Sequence, residues 1–229
     1  MIELVSATRL SENEFWKHSA LGLSLWRLAR THEVAARVFF ENSQGLPELY
    51  NLHIRAAHPD SLLVFVHDDV WIDDIFFASR VIDGLRSFEV VGVAGNRRRV
   101  LYQPGWGFKS LEGNQLIADE AINLSGAIAH GDRLVSKVDY FGPSPAECEL
   151  IDGVLIAAKR SALIDRNVFF DPQFKFHFYD LDFCRSARLA GIRLGTWPIG
   201  LTHRSDGVSS YRATEWIEGY HRYIAKWGG

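Results

Sequence analysis

The chain is poor in cysteine. Its two, Cys148 and Cys184, stand far apart in 229 residues and match neither a disulfide framework nor a metal-binding spacing. Such a pair reads as buried free thiols in a reducing compartment. A block of one charge sign is also missing. Acids and bases are interspersed, the net charge is −3, and Arg97-Arg98-Arg99 is the only short basic run. This argues against nucleic-acid binding. The run reads as a solvated loop, with phosphate contact as the alternative. No basic segment followed by a long apolar core opens the chain, so no signal peptide is expected. No stretch of about 18 apolar residues occurs, so no transmembrane segment is expected. Internal repeats and low-complexity tracts are absent too. The expectation is a cytoplasmic protein, a location compatible with peripheral attachment to the inner membrane.

What is present is apolar material: 47% hydrophobic and 13% aromatic residues, enough for a sizeable core. The organising stretch is SLLVFVHDDVWIDD, residues 61–74. Leu62 to Val66 has the length and composition of a strand buried on both faces. It stops at His67-Asp68-Asp69. Adjacent carboxylates at the end of a buried strand repel unless a cation or water reaches them, and in open α/β sheets ligands bind at the carboxyl ends of strands. Asp68 and Asp69 therefore read as holding a divalent metal and part of a nucleotide. The alternative is a polar turn, with Asp73 or Asp74 capping the next helix.

Around that strand, elements alternate. Residues 2–8 read as a strand. Ser11 and Glu14 form a capping box before a helix carrying Phe15, Trp16, Leu21, Leu25 and Leu28. Val34 to Phe40 is a strand, Pro47 opens a helix running to Ala57, residues 75–85 are helical, and Val90 to Ala94 is a strand. This order predicts right-handed crossovers and a mostly parallel sheet. Residues 96–126, rich in Gly, Arg and Asn, form a long excursion of the kind that is usually functional or mobile. A hairpin is expected around Gly131-Asp132, a strand over 149–158, a short helix from Arg160 and an aromatic loop over 167–178. A helix over 180–190 ends at Gly191, residues 192–197 form a strand, and a terminal helix runs over 211–227. In that last helix Trp216, Tyr220, Tyr223 and Trp227 form a packing seam.

Three clusters at element ends could do chemistry: His67-Asp68-Asp69, Asp180-Leu181-Asp182 and His203. Two carboxylates and an imidazole brought together suit Mn²⁺ or Mg²⁺ with a diphosphate completing the shell. A carboxylate opening a helix behind the aromatic loop could take a proton from an acceptor hydroxyl. Helix capping is the plain alternative for Asp180 and Asp182, as a hydrogen-bonded structural role is for His203.

The ordered set resembles a known family. Its parts are Ser6-Ala7-Thr8, the segment Asn42 to Asn51, His67-Asp68-Asp69, Asp152-Gly153, Phe170-Asp171-Pro172, Tyr179-Asp180-Leu181-Asp182-Phe183, Arg185 to Gly191, and His203. In that order they are similar to GT-A fold glycosyltransferases of family 2 and to small bacterial capsule-type glucosyltransferases, over about residues 2–207. The resemblance implies an α/β, Rossmann-like GT-A fold: a mixed, mostly parallel central sheet flanked by helices, with a small antiparallel element in the second half. It implies one domain: a nucleotide-binding half (1–95), an acceptor and metal half (96–210) and a C-terminal helix (211–229). It implies a UDP-sugar donor, Mn²⁺ or Mg²⁺, and inverting transfer to a hydroxyl acceptor such as a saccharide or lipid-linked saccharide.

By motif match Asp69 would hold the metal, Asp68 would contact the ribose or share the metal, and His203 would be a late contact to the metal or the diphosphate. Ser6, Ala7, Thr8, Arg9 and Asn42 would hold the base, and Asp180 would be the general base. Trp106, Asp152, Phe176, Tyr179 and Asp182 are acceptor-side candidates. Two departures stand out: His67 replaces a carboxylate, and Tyr179 stands where Glu often precedes the base. A nucleotide-binding protein without transfer activity is the alternative. A dinucleotide-binding or nucleotidyltransferase domain is disfavoured, because no glycine-rich loop follows the first strand.

Overall fold

A computed structural model describes residues 1–29, 34–113, 115–134, 136–204 and 214–228. The first half carries β1 (Ile2–Ala7), α1 (Glu12–His18), α2 (Ala20–Leu28), β2 (Val34–Phe39), α3 (Leu46–Ala56), β3 (Leu62–Val66), β4 (Val70–Ile72), α4 (Phe77–Ser87), β5 (Val90–Gly92) and β6 (Ala94–Asn96). The second carries β7 (Phe108–Glu112), β8 (Gln115–Ala118), β9 (Leu124–His130), β10 (Lys137–Gly142), β11 (Ala146–Cys148), β12 (Leu150–Ile151), β13 (Leu155–Lys159), α5 (Arg160–Asp165), α6 (Tyr179–Leu189), β14 (Leu194–Thr196), β15 (Leu201–His203) and α7 (Thr214–Trp227).

The main sheet runs β11-β14-β5-β13-β3-β1-β2. Parallel pairing is confined to β1 with β2 and β3, and to β5 with β14; β13 runs against both neighbours and β11 against β14. The sheet is therefore mixed. Burial on both faces is visible in the period-two alternation of its central strands. Leu63, Phe65, Ile156 and Ala158 face one core with Tyr50, Ile54 and Phe183. Val64, Val66, Leu155 and Ala157 face the other with Phe15, Phe77 and Val81.

A second sheet has the order β12-β6-β9-β15-β4, with β10 beside β9. Two segments pass from one sheet to the other. The strand expected over Val90 to Ala94 breaks at Val93 into β5 and β6, and residues 146–151 break at Glu149 into β11 and β12. Where β9 passes β6, Gly126 adopts φ +94°, and a Cβ there would overlap the Val93 carbonyl oxygen. Only glycine fits that approach.

Several expected elements differ in detail. The first helix is two helices. Ser19 ends α1 and caps α2, its hydroxyl donating to the Phe15 carbonyl at 2.8 Å and accepting from Gly22 N–H at 2.8 Å. The Ser11–Glu14 capping box is present, and Asp74 accepts from Phe76 N–H just before α4. The excursion over 96–126 contains the β7–β8 hairpin. The hairpin around Gly131 is β9–β10, with His130 opposite Lys137. The strand expected over 149–158 is two short strands around Asp152-Gly153. The start of the last helix expected at Tyr211 lies outside the described residues.

Gly126→Ala should lower unfolding stability by about 2–4 kcal/mol, since the neighbouring backbone cannot retreat. Urea denaturation followed by circular dichroism measures it. An unchanged midpoint would show that the crossing tolerates a side chain.

Candidate functional site

The carboxyl ends of β1 and β3 lie on one edge of the main sheet. Antiparallel β13 brings its amino end, with Asp152 and Gly153, to the same edge. His67 is anchored there by its backbone N–H to the Val154 carbonyl. Asp69 ends the turn into β4, and β15 pairs with β4 so that His203 stands opposite Val70. Arg204 N–H also donates to the Asp69 carbonyl at 2.9 Å. The ladder thus fixes His203 beside Asp69, with Nε2 3.3 Å from Oδ1.

His67, Asp69 and His203 place one ligand atom each within 4.8 Å of one another, a group that can hold a metal ion. Two observations fit a cation. Asp69 Oδ1 is buried without a well-formed hydrogen bond; its charge partner is His203 Nε2 at 3.3 Å, which leaves room for a cation at that oxygen. His67 also has its tautomer fixed. The Tyr179 hydroxyl donates its single proton to the Gly153 carbonyl at 2.8 Å. The His67 Nε2 contact to the same hydroxyl, 2.9 Å, must then carry the imidazole's own proton, which leaves Nδ1 with a free lone pair. Burial pulls the His67 pKa down against the pull of Asp69. Burial opposes charge on His203 and Asp69 as well. Their mutual contact outweighs it, holding His203 above and Asp69 below the ordinary value. Asp68 is not part of this group; its backbone carbonyl accepts from Leu21 N–H.

Asp180 lies in the first turn of α6, next to Tyr179, and accepts from Gly153 N–H at 3.0 Å. A Cβ on Gly153 would stand 2.6 Å from the Tyr179 hydroxyl and 2.9 Å from Asp180 Cβ, so glycine is what lets β13 and α6 close on each other. Burial, and then the charge of Asp152, push the Asp180 pKa up to about 7 despite backbone donors. Asp152 itself accepts from Val154 N–H and from Trp106 Nε1 at 2.5 Å. Trp106 is in turn tied by its carbonyl to Asn96 Nδ2. Phe176, 54% exposed, stacks on His67 with centroids 5.7 Å apart.

The structure thus gathers His67, Asp69, Asp152, Tyr179, Asp180, His203 and Trp106. Asp182 does not join them. Fully buried, it turns to the C-terminal helix, accepting from Trp227 Nε1 at 2.6 Å and pairing with Lys226 at 2.7 Å. The base-site candidates sit at the ends of β1 and β2. Asn42 N–H donates to the Thr8 carbonyl at 2.8 Å, the buried Ser6 hydroxyl has no partner, Ala7 is half-buried and Arg9 is exposed. The Asn42 side chain closes a local turn with Gln44. Two features escape sequence reasoning. His67 belongs to the metal-capable group, and His130, held by Asp139 at 3.0 Å, lies beside His203 with centroids 6.0 Å apart. Nothing in the local sequence marks His130, which arrives there through the β9–β15 pairing.

Neither a protein-family model nor a curated protein sequence matches this chain. Solved structures do. GalNAc-T7, solved with UDP, GalNAc and Mn²⁺, gives a TM-score of 0.55 at 11% identity, covering 99% of this chain and 48% of its own. The mannosyltransferase PcManGT from Pyrobaculum calidifontis, solved with GDP-Man and Mn²⁺, gives 0.51 at 14% identity, covering 98% and 64%. The chain spans about half of the first and just under two thirds of the second. What they share with it is the fold, the GT-A arrangement of a curled mixed sheet flanked by helices.

The carboxyl signal of Asp180 in the metal-free protein should titrate near pH 7. In Asp152→Asn, with one negative neighbour gone, its midpoint should fall towards the ordinary carboxylate range. NMR titration of the labelled side chain reads both. An identical midpoint in the two proteins would remove Asp152 as a cause.

Proposed function

We propose that this chain transfers a sugar from a nucleotide-diphosphate donor, in the first instance a UDP-sugar, to a hydroxyl acceptor, with inversion at the anomeric carbon. One observation carries the reading. A metal-capable group (His67, Asp69, His203) and a carboxyl with a pKa of about 7 (Asp180) meet at the same sheet edge, one hydrogen bond apart through Tyr179. The GT-A fold adds support, since both neighbours were solved with nucleotides or nucleotide sugars and Mn²⁺.

His67, Asp69 and His203 would hold a divalent ion, which supplies positive charge against the diphosphate. The ends of β1 and β2, with Ser6, Ala7, Thr8, Arg9 and Asn42, would take the base, and Asp68 the ribose. Asp180 accepts the proton of the acceptor hydroxyl as that oxygen bonds to the anomeric carbon. The bond from that carbon to the diphosphate oxygen breaks on the opposite face. A carboxyl pushed to about 7 is a stronger base than an ordinary one and is still ionised in a useful fraction at neutral pH. Phe176 on His67 offers an exposed ring face for a sugar.

A second reading, nucleotide-sugar binding without transfer, is favoured by one observation: the Trp106 indole is bonded to Asp152, whose charge reaches Asp180. Trp106→Ala should then raise acceptor-dependent turnover. If it lowers turnover, Trp106 is part of the acceptor site.

Calorimetric titration should show UDP binding that requires Mn²⁺, lost in Asp69→Ala. UDP binding in that variant equal to the parent would sink the donor-site assignment. Asp180→Asn should bind the donor as the parent does while transfer falls about 10²–10⁴-fold. In the parent, transfer should rise with pH and level off above about 7, because the base must be ionised. A rate that is flat from pH 5 to 8 would place the base elsewhere.

A further inference from the structure

The two departures from the family's pattern, His67 for a carboxylate and Tyr179 for Glu, are 112 residues apart in sequence yet bonded to each other at 2.9 Å. The bond is directional. The Gly153 carbonyl can only accept, so it takes the Tyr179 proton, and the phenolic oxygen must then accept from His67 Nε2. This is the arrangement in which a histidine donates one ring nitrogen to a fixed partner and offers the other to a metal. Tyr179 is 3% exposed and Gly153 is buried, so water does not compete for either bond. The resulting donor set is two imidazoles and one carboxylate, with all three ligand atoms within 4.8 Å of one another.

Donor chemistry decides which ion such a set takes. Mg²⁺ binds through oxygen and keeps its waters, and gains little from imidazole. Along the first-row series, affinity for nitrogen ligands rises from Mn²⁺ through Co²⁺ towards Zn²⁺. Resting on the reading that His67, Asp69 and His203 hold a metal, we propose that this site selects an imidazole-favouring transition ion and rejects Mg²⁺, with Tyr179 as the positioning residue that sets the His67 tautomer. On this proposal Mg²⁺ is not the ion of the site. Mn²⁺ becomes the weakest of the ions the site accepts.

The test is titration of the full chain with Mg²⁺, Mn²⁺, Co²⁺ and Zn²⁺ chlorides without nucleotide, followed by calorimetry and, for Co²⁺, by its visible absorption. Co²⁺ and Zn²⁺ should bind more than about tenfold tighter than Mn²⁺, and Mg²⁺ should give no binding heat at millimolar concentration. Tyr179→Phe, which keeps the ring in the core, should weaken Co²⁺ about 10–100-fold and preserve the order of ions. His67→Asp should gain Mg²⁺ and lose Co²⁺, and in that background Tyr179→Phe should change nothing further. Should Tyr179→Phe fail to fold, the His67→Asp exchange alone decides.

Mg²⁺ within threefold of Mn²⁺ in the parent, or Co²⁺ binding unchanged in folded Tyr179→Phe, would overturn the inference. UDP binding supported equally by Mg²⁺ would also overturn it while leaving the donor reading intact. The predicted order of ions with no nucleotide binding would uphold it and remove the donor reading.

Discussion

An anionic oxygen buried without a well-formed hydrogen bond is the constraint around which this molecule is arranged. Asp69 Oδ1 is removed from water at the edge of a sheet buried on both faces. The side chain as a whole stays 37% exposed, and it is the buried oxygen to which positive charge is brought. The fold does so with backbone. Strand β15 lies antiparallel to β4, and that register puts His203 against Asp69. Beneath it the second sheet needs β9 alongside β15, which in turn needs Gly126 to let β9 pass Val93. A glycine remote from the chemistry is therefore part of what aims an imidazole. The raised pKa of His203 is the electrostatic counterpart of that geometry, burial notwithstanding.

The other half of the candidate site is built by a helix end rather than a strand end. Helix α6 starts at Tyr179, after Phe178 in a left-handed conformation, φ 67°. That strain is held by packing: Phe178 stacks on Tyr223 and lies against Trp216, and Gly219 in α7 leaves room for its ring. On the far side of α6, Asp182 is clamped by Lys226 and Trp227. The aromatic seam of the last helix thus acts on the site at one remove, by holding the turn of α6 that carries Tyr179 and Asp180. Asp180 and Asp182, two residues apart on a helix, point in different directions, as a period of 3.6 requires.

Much of this was legible because it is local. Period-two burial in Leu62 to Val66, the Ser11–Glu14 box and Pro47 at a helix start follow from short-range chemistry, and the charges at the end of β3 announce a sheet edge. The sheet crossings at Val93 and Glu149 were not legible. At both breaks the strands are only two or three residues long, and the sequence carries no proline or turn signal between them. Ser19 hides a helix junction because a serine inside an apolar helical pattern looks like a neutral surface position until its hydroxyl is seen capping both ends. Asp182 was grouped with Asp180 by sequence adjacency, yet its partners lie 44 and 45 residues further on. His67 looks like a substitution rather than a ligand in the sequence for the same reason: its orienting partner is 112 residues away.

That last pair changes how departures from a family pattern should be weighed. Taken singly, His67 subtracts a negative charge from the metal-binding signature and Tyr179 subtracts an acid beside the base, and each would count as erosion of a catalytic site. Taken together, they make one hydrogen-bonded unit on a buried backbone carbonyl, with the second nitrogen of the partly buried His67 left over. Erosion has no reason to satisfy every buried donor and acceptor that it creates, because an unpaired polar group in that position costs about 1–3 kcal/mol and would be relieved by an apolar side chain. The Tyr179 hydroxyl is instead matched on both sides, and Gly153 is kept small enough to receive it. On the proposed reading, this paired exchange of side chains would be expressed in the metal preference of the site.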